Sequence, residues 1–274
     1  MSHLQKSFTG TEFPRNTIRI ANVFIVGVQK AGTTALHSFL AQHPQIQMSE
    51  QKELHFFDND NRNWTDPDYA DFERRFSAEK SKIRGESTPI YIYWPNSLER
   101  LKIYDPAAKL IVLLRHPTFR AYSHWKMEML RNAETLSFEE AVSATGRERV
   151  RSASGGVHRV FSYIERGFYA RQVSRLLTLF PREQVHFALT DDLWLTPRET
   201  LSEIETFLHV DHFLSPEREY IVLANTKFHS ELDNRIRWQL DALYAPDIRE
   251  TAAITGLNLS GWLDPDYVEP TKDR

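Results

Sequence analysis

The segment Gly27-Val28-Gln29-Lys30-Ala31-Gly32-Thr33-Thr34 follows an apolar run and opens a helical pattern, combining two glycines, a lysine and two adjacent hydroxyls. A strand-to-helix loop of this kind presents backbone N–H groups and the positive end of a helix dipole to an anion of the phosphate class. Its glycines permit close approach, and Lys30 adds a mobile charge. A second apolar run, Lys109 to Leu114, ends in Arg115-His116-Pro117. That sets a guanidinium at a strand's carboxyl end, the side on which open α/β sheets bind ligands, where its fork suits a second phosphate. Ser123 can return a hydroxyl to the same anion from the following helix. Glu53 and His55 are the candidates for proton transfer. On an extended segment they share a face, so that one serves as base and the other as its hydrogen-bonded partner. Histidine has the pKa better suited to neutrality, whereas glutamate needs burial to raise its own.

The first loop departs from the Walker A pattern, in which lysine directly follows the second glycine; here Thr33 does, and Lys30 lies inside the loop. The second strand ends in arginine rather than in an aspartate that could hold Mg²⁺. Both features argue against the rival enzyme class, a P-loop kinase using ATP and Mg²⁺. The presence of lysine, arginine, serine and a candidate base argues against a catalytically inactive nucleotide-binding or scaffold protein.

Positioning these groups requires short buried strands alternating with amphipathic helices. Strands are expected at Asn22 to Val28, Lys109 to Leu114 and Gln184 to Leu189, with helices over Thr34 to Gln42, Pro117 to Leu130 and Gly167 to Phe180. Thr196-Pro197-Arg198-Glu199 reads as a capping box opening a helix to Leu208, and Glu231 to Thr255 as two helices broken near Pro246, before an irregular acidic tail. Strands apolar on both faces need helices on both sides. The expected fold class is therefore a three-layer α/β, P-loop-like domain with a central parallel sheet, spanning 1–274 as one unit.

With 34 Lys and Arg against 37 Asp and Glu, a formal charge of -3 offers no global field for nucleic acid or an anionic membrane, so any anion must be gripped locally. The absence of cysteine excludes disulfides, thiolate metal sites and a cysteine nucleophile. No secretory signal pattern and no apolar run of spanning length occur, which reads as a cytoplasmic protein, with the sequons at Asn63 and Asn258 as chance matches. His124 is expected on a helix surface, Arg147, Arg149 and Arg151 on a solvated helix face, and His209, Asp211 and His212 as a solvated cap rather than metal ligands; no metal is expected. Tyr91, Tyr93 and Trp94 either line an acceptor cleft or pack in the core.

Lys30-Ala31-Gly32-Thr33-Thr34 after the first strand, together with Arg115-His116-Pro117-Thr118-Phe119-Arg120-Ala121-Tyr122-Ser123-His124-Trp125, resembles the PAPS-dependent sulfotransferase family, PAPS being 3′-phosphoadenosine 5′-phosphosulfate. Lys52-Glu53-Leu54-His55-Phe56-Phe57-Asp58 and Gly85-Glu86-Ser87-Thr88-Pro89 are similar to segments of the branch containing the heparan sulfate sulfotransferases. The resemblance implies PAPS as co-substrate and PAP as product. It implies a binding set of Lys30, Ala31, Gly32, Thr33, Thr34, Arg115, Ser123 and Lys227, the last from the Asn225-Thr226-Lys227 turn. Lys30 would stabilise the leaving oxygen, Glu53 ranks first as base with His55 close behind, and the acceptor would be a small-molecule, lipid or carbohydrate hydroxyl. Where some members carry a functional lysine this chain has Ser87.

Overall fold

A computed structural model of the protein describes residues 21–76, 83–213 and 231–270. Its sheet has five strands, β1 (Val23–Gly27), β2 (Ile46–Met48), β3 (Ile83–Ser87), β4 (Lys109–Leu114) and β5 (Val185–Leu189), in the order β2-β3-β1-β4-β5. Every pairing is parallel. The helices are α1 (Thr33–Ala41), α2 (Tyr69–Glu73), α3 (Ser97–Tyr104), α4 (Pro117–Leu130), α5 (Phe138–Val142), α6 (Ala144–Arg151), α7 (Tyr169–Leu179), α8 (Thr190–Leu195), α9 (Pro197–Leu208) and α10 (Asn234–Thr255). All five residues of β1 are buried, as are the five apolar residues of β4, which accounts for their unbroken apolar character: helices cover both faces. The chain leaves β1 toward β3 and β2, and leaves β4 toward β5. The β1/β4 boundary is thus the point where strand order reverses, and the loops after these two strands open a crevice there.

The expected strands and first helices fall within a residue or two of their observed bounds. β2 and β3 carry no such apolar signal. β3 reads Ile-Arg-Gly-Glu-Ser, and its last three residues are buried because strands pair with it on both sides. The absence of a side chain at Gly85 leaves room for Met48, whose sulfur would lie 2.5 Å from a Cβ there.

Two expectations at helix ends are corrected. Pro197 does open α9, but Thr196 makes no capping bond; its hydroxyl donates back to the carbonyl of Asp192 at 3.2 Å, so the box does not form. The final helix is also a single one, with Pro246 inside it. Pro246 and Ala242 are both exposed, so water can satisfy the Ala242 carbonyl that the proline leaves without an N–H, while Tyr244 and Ile248 anchor the buried face across the interruption. Pro246→Ala is predicted to raise unfolding stability by about 1 to 3 kcal/mol, read from the midpoint of urea denaturation; a lowered midpoint would contradict this account.

Candidate active site

β1 delivers the chain into a loop tied on every side. The Val28 N–H donates to Leu113 at 2.8 Å, Ala31 N–H to Val28 at 3.1 Å, and the Thr190 hydroxyl, at the end of β5, donates to Ala31 and Leu114 carbonyls at 2.8 and 2.9 Å. Lys30 and Gly32 take left-handed backbone, φ 74° and 86°. Gly32 is the residue for which this is cheap, and it turns the chain into α1 without a side-chain cap on the first-turn N–H groups. Thr33 and Thr34 follow at the helix start, and both line the same cavity of about 520 Å³. That size suits a nucleotide-class ligand.

Arg115, at the end of β4, donates through Nη1 to the Lys30 carbonyl at 2.7 Å and through Nε and Nη2 to the two oxygens of Glu269, both at 2.6 Å. Tyr169 donates to the Arg115 carbonyl at 2.7 Å. Burial, with the Arg115 and Arg131 charges, lowers the Lys30 ammonium to about 8, against a weaker opposing pull from Glu53. Behind the loop lie two more buried guanidiniums: Arg166 donates to the Gln29 side-chain oxygen, and Arg120 to the Tyr163 carbonyl. This is a local positive field in a chain of net charge -3.

Glu53 and His55 lie not on a strand but in a turn with left-handed backbone, φ 61° and 51°, held by β3: Glu53 N–H donates to Ser87 at 3.1 Å and Leu54 N–H to the Glu86 carboxylate at 3.2 Å. The pair nevertheless meets. His55 Nε2 is 3.4 Å from Glu53 Oε2, and its Nδ1 is 2.9 Å from Asp58 Oδ2, a fully buried carboxylate. Hydrogen bonding to Asp58 and then to Glu53 raises His55 to about 9 despite burial. Burial pushes Glu53 up, but the His55 hydrogen bond and the Lys52 ammonium, 2.7 Å away, outweigh it and bring the carboxyl down to about 2. The rise that a glutamate needs to act as a base near neutrality is therefore not found at Glu53: at neutral pH Glu53 is an anion and His55 a cation without a free lone pair. Glu86, fully buried, is the carboxyl raised by burial, to about 7.

The cleft brings together Lys30, Gly32, Thr33, Thr34, Glu53, Arg115 and Ser123. His55 bonds Glu53 without lining the cleft, its side chain 47% exposed, and Ala31 is fully buried with its N–H and carbonyl both engaged. Lys227 lies outside the described residues. The cleft also takes in Gln29, Arg131, Asp191, Trp194 and Glu269, which sequence reasoning did not single out. Asp191 and Trp194 follow β5, whose carboxyl end was the available signal; Glu269 stands in the irregular tail and had none.

Packing corrects the expectations for His124, Arg147 and Arg149. His124 is fully buried against the Tyr163 ring, and burial with the Arg166, Arg120 and Lys30 charges keeps it neutral. Arg147 and Arg149 pair with Glu165 and Glu134 at 2.8 Å, so only Arg151 resembles a solvated face. Tyr91 and Tyr93 are core, whereas Trp94 is partly exposed beneath Arg159. His212 bonds Ser202 and faces Glu205, and no group of three or more residues suited to a metal occurs among the described residues.

With the folded pKa of His55 above its unfolded value and that of Glu53 below its own, the cluster stabilises the protein fully between about pH 4.5 and 6.5, losing the His55 contribution as pH rises through about 9 and the Glu53 contribution as it falls through about 2. Asp58→Asn is predicted to lower the His55 pKa further than Glu53→Gln does, checked by NMR titration of the imidazole; an unmoved titration in both variants would refute the cluster.

A family model described as the sulfotransferase domain matches residues 21–241. Membrane-associated sulfotransferase kil1 of Dictyostelium discoideum is 27% identical, covering 80% of this chain and 67% of its own. The bifunctional heparan sulfate N-deacetylase/N-sulfotransferase 1 of Caenorhabditis briggsae is 25% identical over 91% of this chain and 31% of its own. Heparan sulfate glucosamine 3-O-sulfotransferase 3B1 of Mus musculus is 28% identical over 89% of this chain and 65% of its own, so the chain spans only part of the length of these relatives. Among solved structures, a sulfotransferase from Alicyclobacillus acidocaldarius superposes with a TM-score of 0.77 and 30% identity, over 90% of this chain and all of that one. The parallel sheet, the loop after its central strand and the extent of these matches agree: the chain belongs to the sulfotransferase domain family.

Proposed function

We propose that the chain is a PAPS-dependent sulfotransferase that moves a sulfuryl group by in-line transfer onto a hydroxyl of a carbohydrate or small-molecule acceptor. The observation that carries this reading is one cleft holding two separate anion grips, Lys30 with the uncapped start of α1 and Arg115 with Ser123, and a carboxylate at its wall. The fit to PAPS rests on a stand-in: Arg115 already holds both oxygens of a carboxylate in the fork that a phosphate would take. Lys30, Gly32, Thr33 and Thr34 would hold the 5′ end, and Arg115 and Ser123 the 3′-phosphate. When bound, PAPS supplies the activated sulfuryl group and a leaving phosphate.

Sulfuryl transfer, like phosphoryl transfer, asks mainly for positioning and for charge where the leaving oxygen develops. Lys30 is the donor for that oxygen, and the Arg115 bond to its carbonyl fixes the backbone from which the ammonium reaches. Glu53 is the base. Its carboxylate is ionised and lines the cleft, whereas His55 has both nitrogens committed to carboxylates. A carboxylate held at about 2 is a weak base, so it takes the acceptor's proton only as the new S–O bond forms, when the hydroxyl has become acidic. Ser87, fully buried, contributes no charge to this scheme.

Lys30→Ala is predicted to lower sulfate transfer from labelled PAPS by ~10² to 10³ with an unchanged fold, and Glu53→Gln to lower kcat by ~10² to 10⁴ while PAP affinity holds. Near-normal turnover in a folded Lys30→Ala variant would overturn the assignment. PAP affinity is predicted to weaken above pH about 8, where an ammonium with that pKa is lost, and this alkaline limb should vanish in Lys30→Ala. Tight PAP binding without Mg²⁺ supports sulfotransfer, while Mg²⁺-dependent ATP binding would support a kinase instead.

A further inference from the structure

The chain's last described residues run across the nucleotide end of the cleft. Trp262 is buried, its indole N–H donating to Asp191 at 3.2 Å. The Tyr267 ring stacks on His116 at 4.8 Å, its hydroxyl donates to Asp191 at 2.8 Å, and its carbonyl accepts from Arg237 at 2.7 Å. Beyond this anchor the chain is held differently. Val268 is 56% exposed, and Glu269 reaches in to form the two 2.6 Å bonds to Arg115. Pro270 is also on the cleft wall and disfavours helical backbone at Glu269.

From this geometry we propose that residues 268–270 are a built-in strap whose Glu269 carboxylate occupies the 3′-phosphate seat on Arg115, so that the nucleotide must displace it to bind. The inference rests on the nucleotide-site reading above. Glu269 takes the parallel Nε–H and Nη2–H pair on the side-on edge of the Arg115 guanidinium, and the Lys30 carbonyl takes one Nη1 hydrogen. Carboxylate and 3′-phosphate therefore compete for that edge. The dianionic phosphate, with Ser123 beside it, is the stronger occupant, and only the chain beyond Tyr267 has to move. In the empty enzyme Glu269 neutralises a charge that otherwise faces Lys30 unpaired. The strap also makes the seat selective: a ligand without a 3′-phosphate gains nothing by displacing it.

The test measures binding of PAP and of adenosine 5′-monophosphate by isothermal titration calorimetry, using the full chain, Glu269→Gln, a chain ended after Tyr267, and Arg115→Ala. If the strap holds the seat about nine-tenths of the time, the first two variants bind PAP about tenfold tighter than the full chain, with adenosine 5′-monophosphate unchanged. PAP affinity that is equal or weaker in both would overturn the strap and make Glu269 a positioning residue for Arg115. Arg115→Ala should erase the preference for PAP over adenosine 5′-monophosphate; if the preference survives, the nucleotide-site reading itself fails, whatever Glu269 does.

Discussion

Two like charges, the Lys30 ammonium and the Arg115 guanidinium, stand at the carboxyl ends of neighbouring parallel strands, and the site depends on holding them there. Arg115 pins the Lys30 carbonyl at 2.7 Å, so the residue that fixes the loop is also among those that lower the ammonium's pKa. Arg166 and Arg120 lie buried behind, and no carboxylate is bonded to either among the hydrogen bonds the described residues make. Concentrated positive charge in a low-dielectric crevice is costly unless an anion enters it, which makes the geometry selective for a ligand anionic at two points. The overall charge of -3 conceals this, because charge acts at the distance of contacts and not as a sum over the chain.

The sheet is what brings the grips together. β1 and β4 are adjacent and parallel, so their carboxyl ends emerge side by side although 85 residues separate Lys30 from Arg115. β3, on the other flank of β1, supplies the Ser87 and Glu86 contacts that hold the Glu53 turn. The loops after β1 and β4 and the segment after β2, held against β3, thus converge on one crevice. Division of labour follows from where each sits: the β1 and β4 loops are cationic, and the segment against β3 is a chain of alternating charges, Lys52, Glu53, His55 and Asp58.

What the sequence disclosed and what it withheld divide along a physical line. β4 and α4 were legible to the residue because their apolar runs and Pro117 encode burial and a helix start locally. β3 was not, since Gly85, Glu86 and Ser87 have little strand preference and are held by neighbours on both sides. The loop, Arg115, Ser123 and Glu53 could be singled out by residue type and by family resemblance. The charge states of Glu53 and His55 could not, because they come from Asp58 and from backbone that is left-handed rather than extended. His124 illustrates the same gap: a polar residue on a helix is buried by Tyr163, which lies on a distant segment. Glu269 meets Arg115 across 154 positions, a contact that no local pattern announces.

The central claim concerns orientation: the adenosine carrier's 5′ end at Lys30 and the start of α1, its 3′-phosphate at Arg115 and Ser123. A crystal structure of the protein soaked with PAP tests it most directly. The account predicts the 3′-phosphate in the Arg115 fork with Glu269 released, and the 5′-phosphate within hydrogen-bond distance of Lys30. PAP bound with its ends exchanged, or bound elsewhere with the Arg115–Glu269 pair intact, would contradict it.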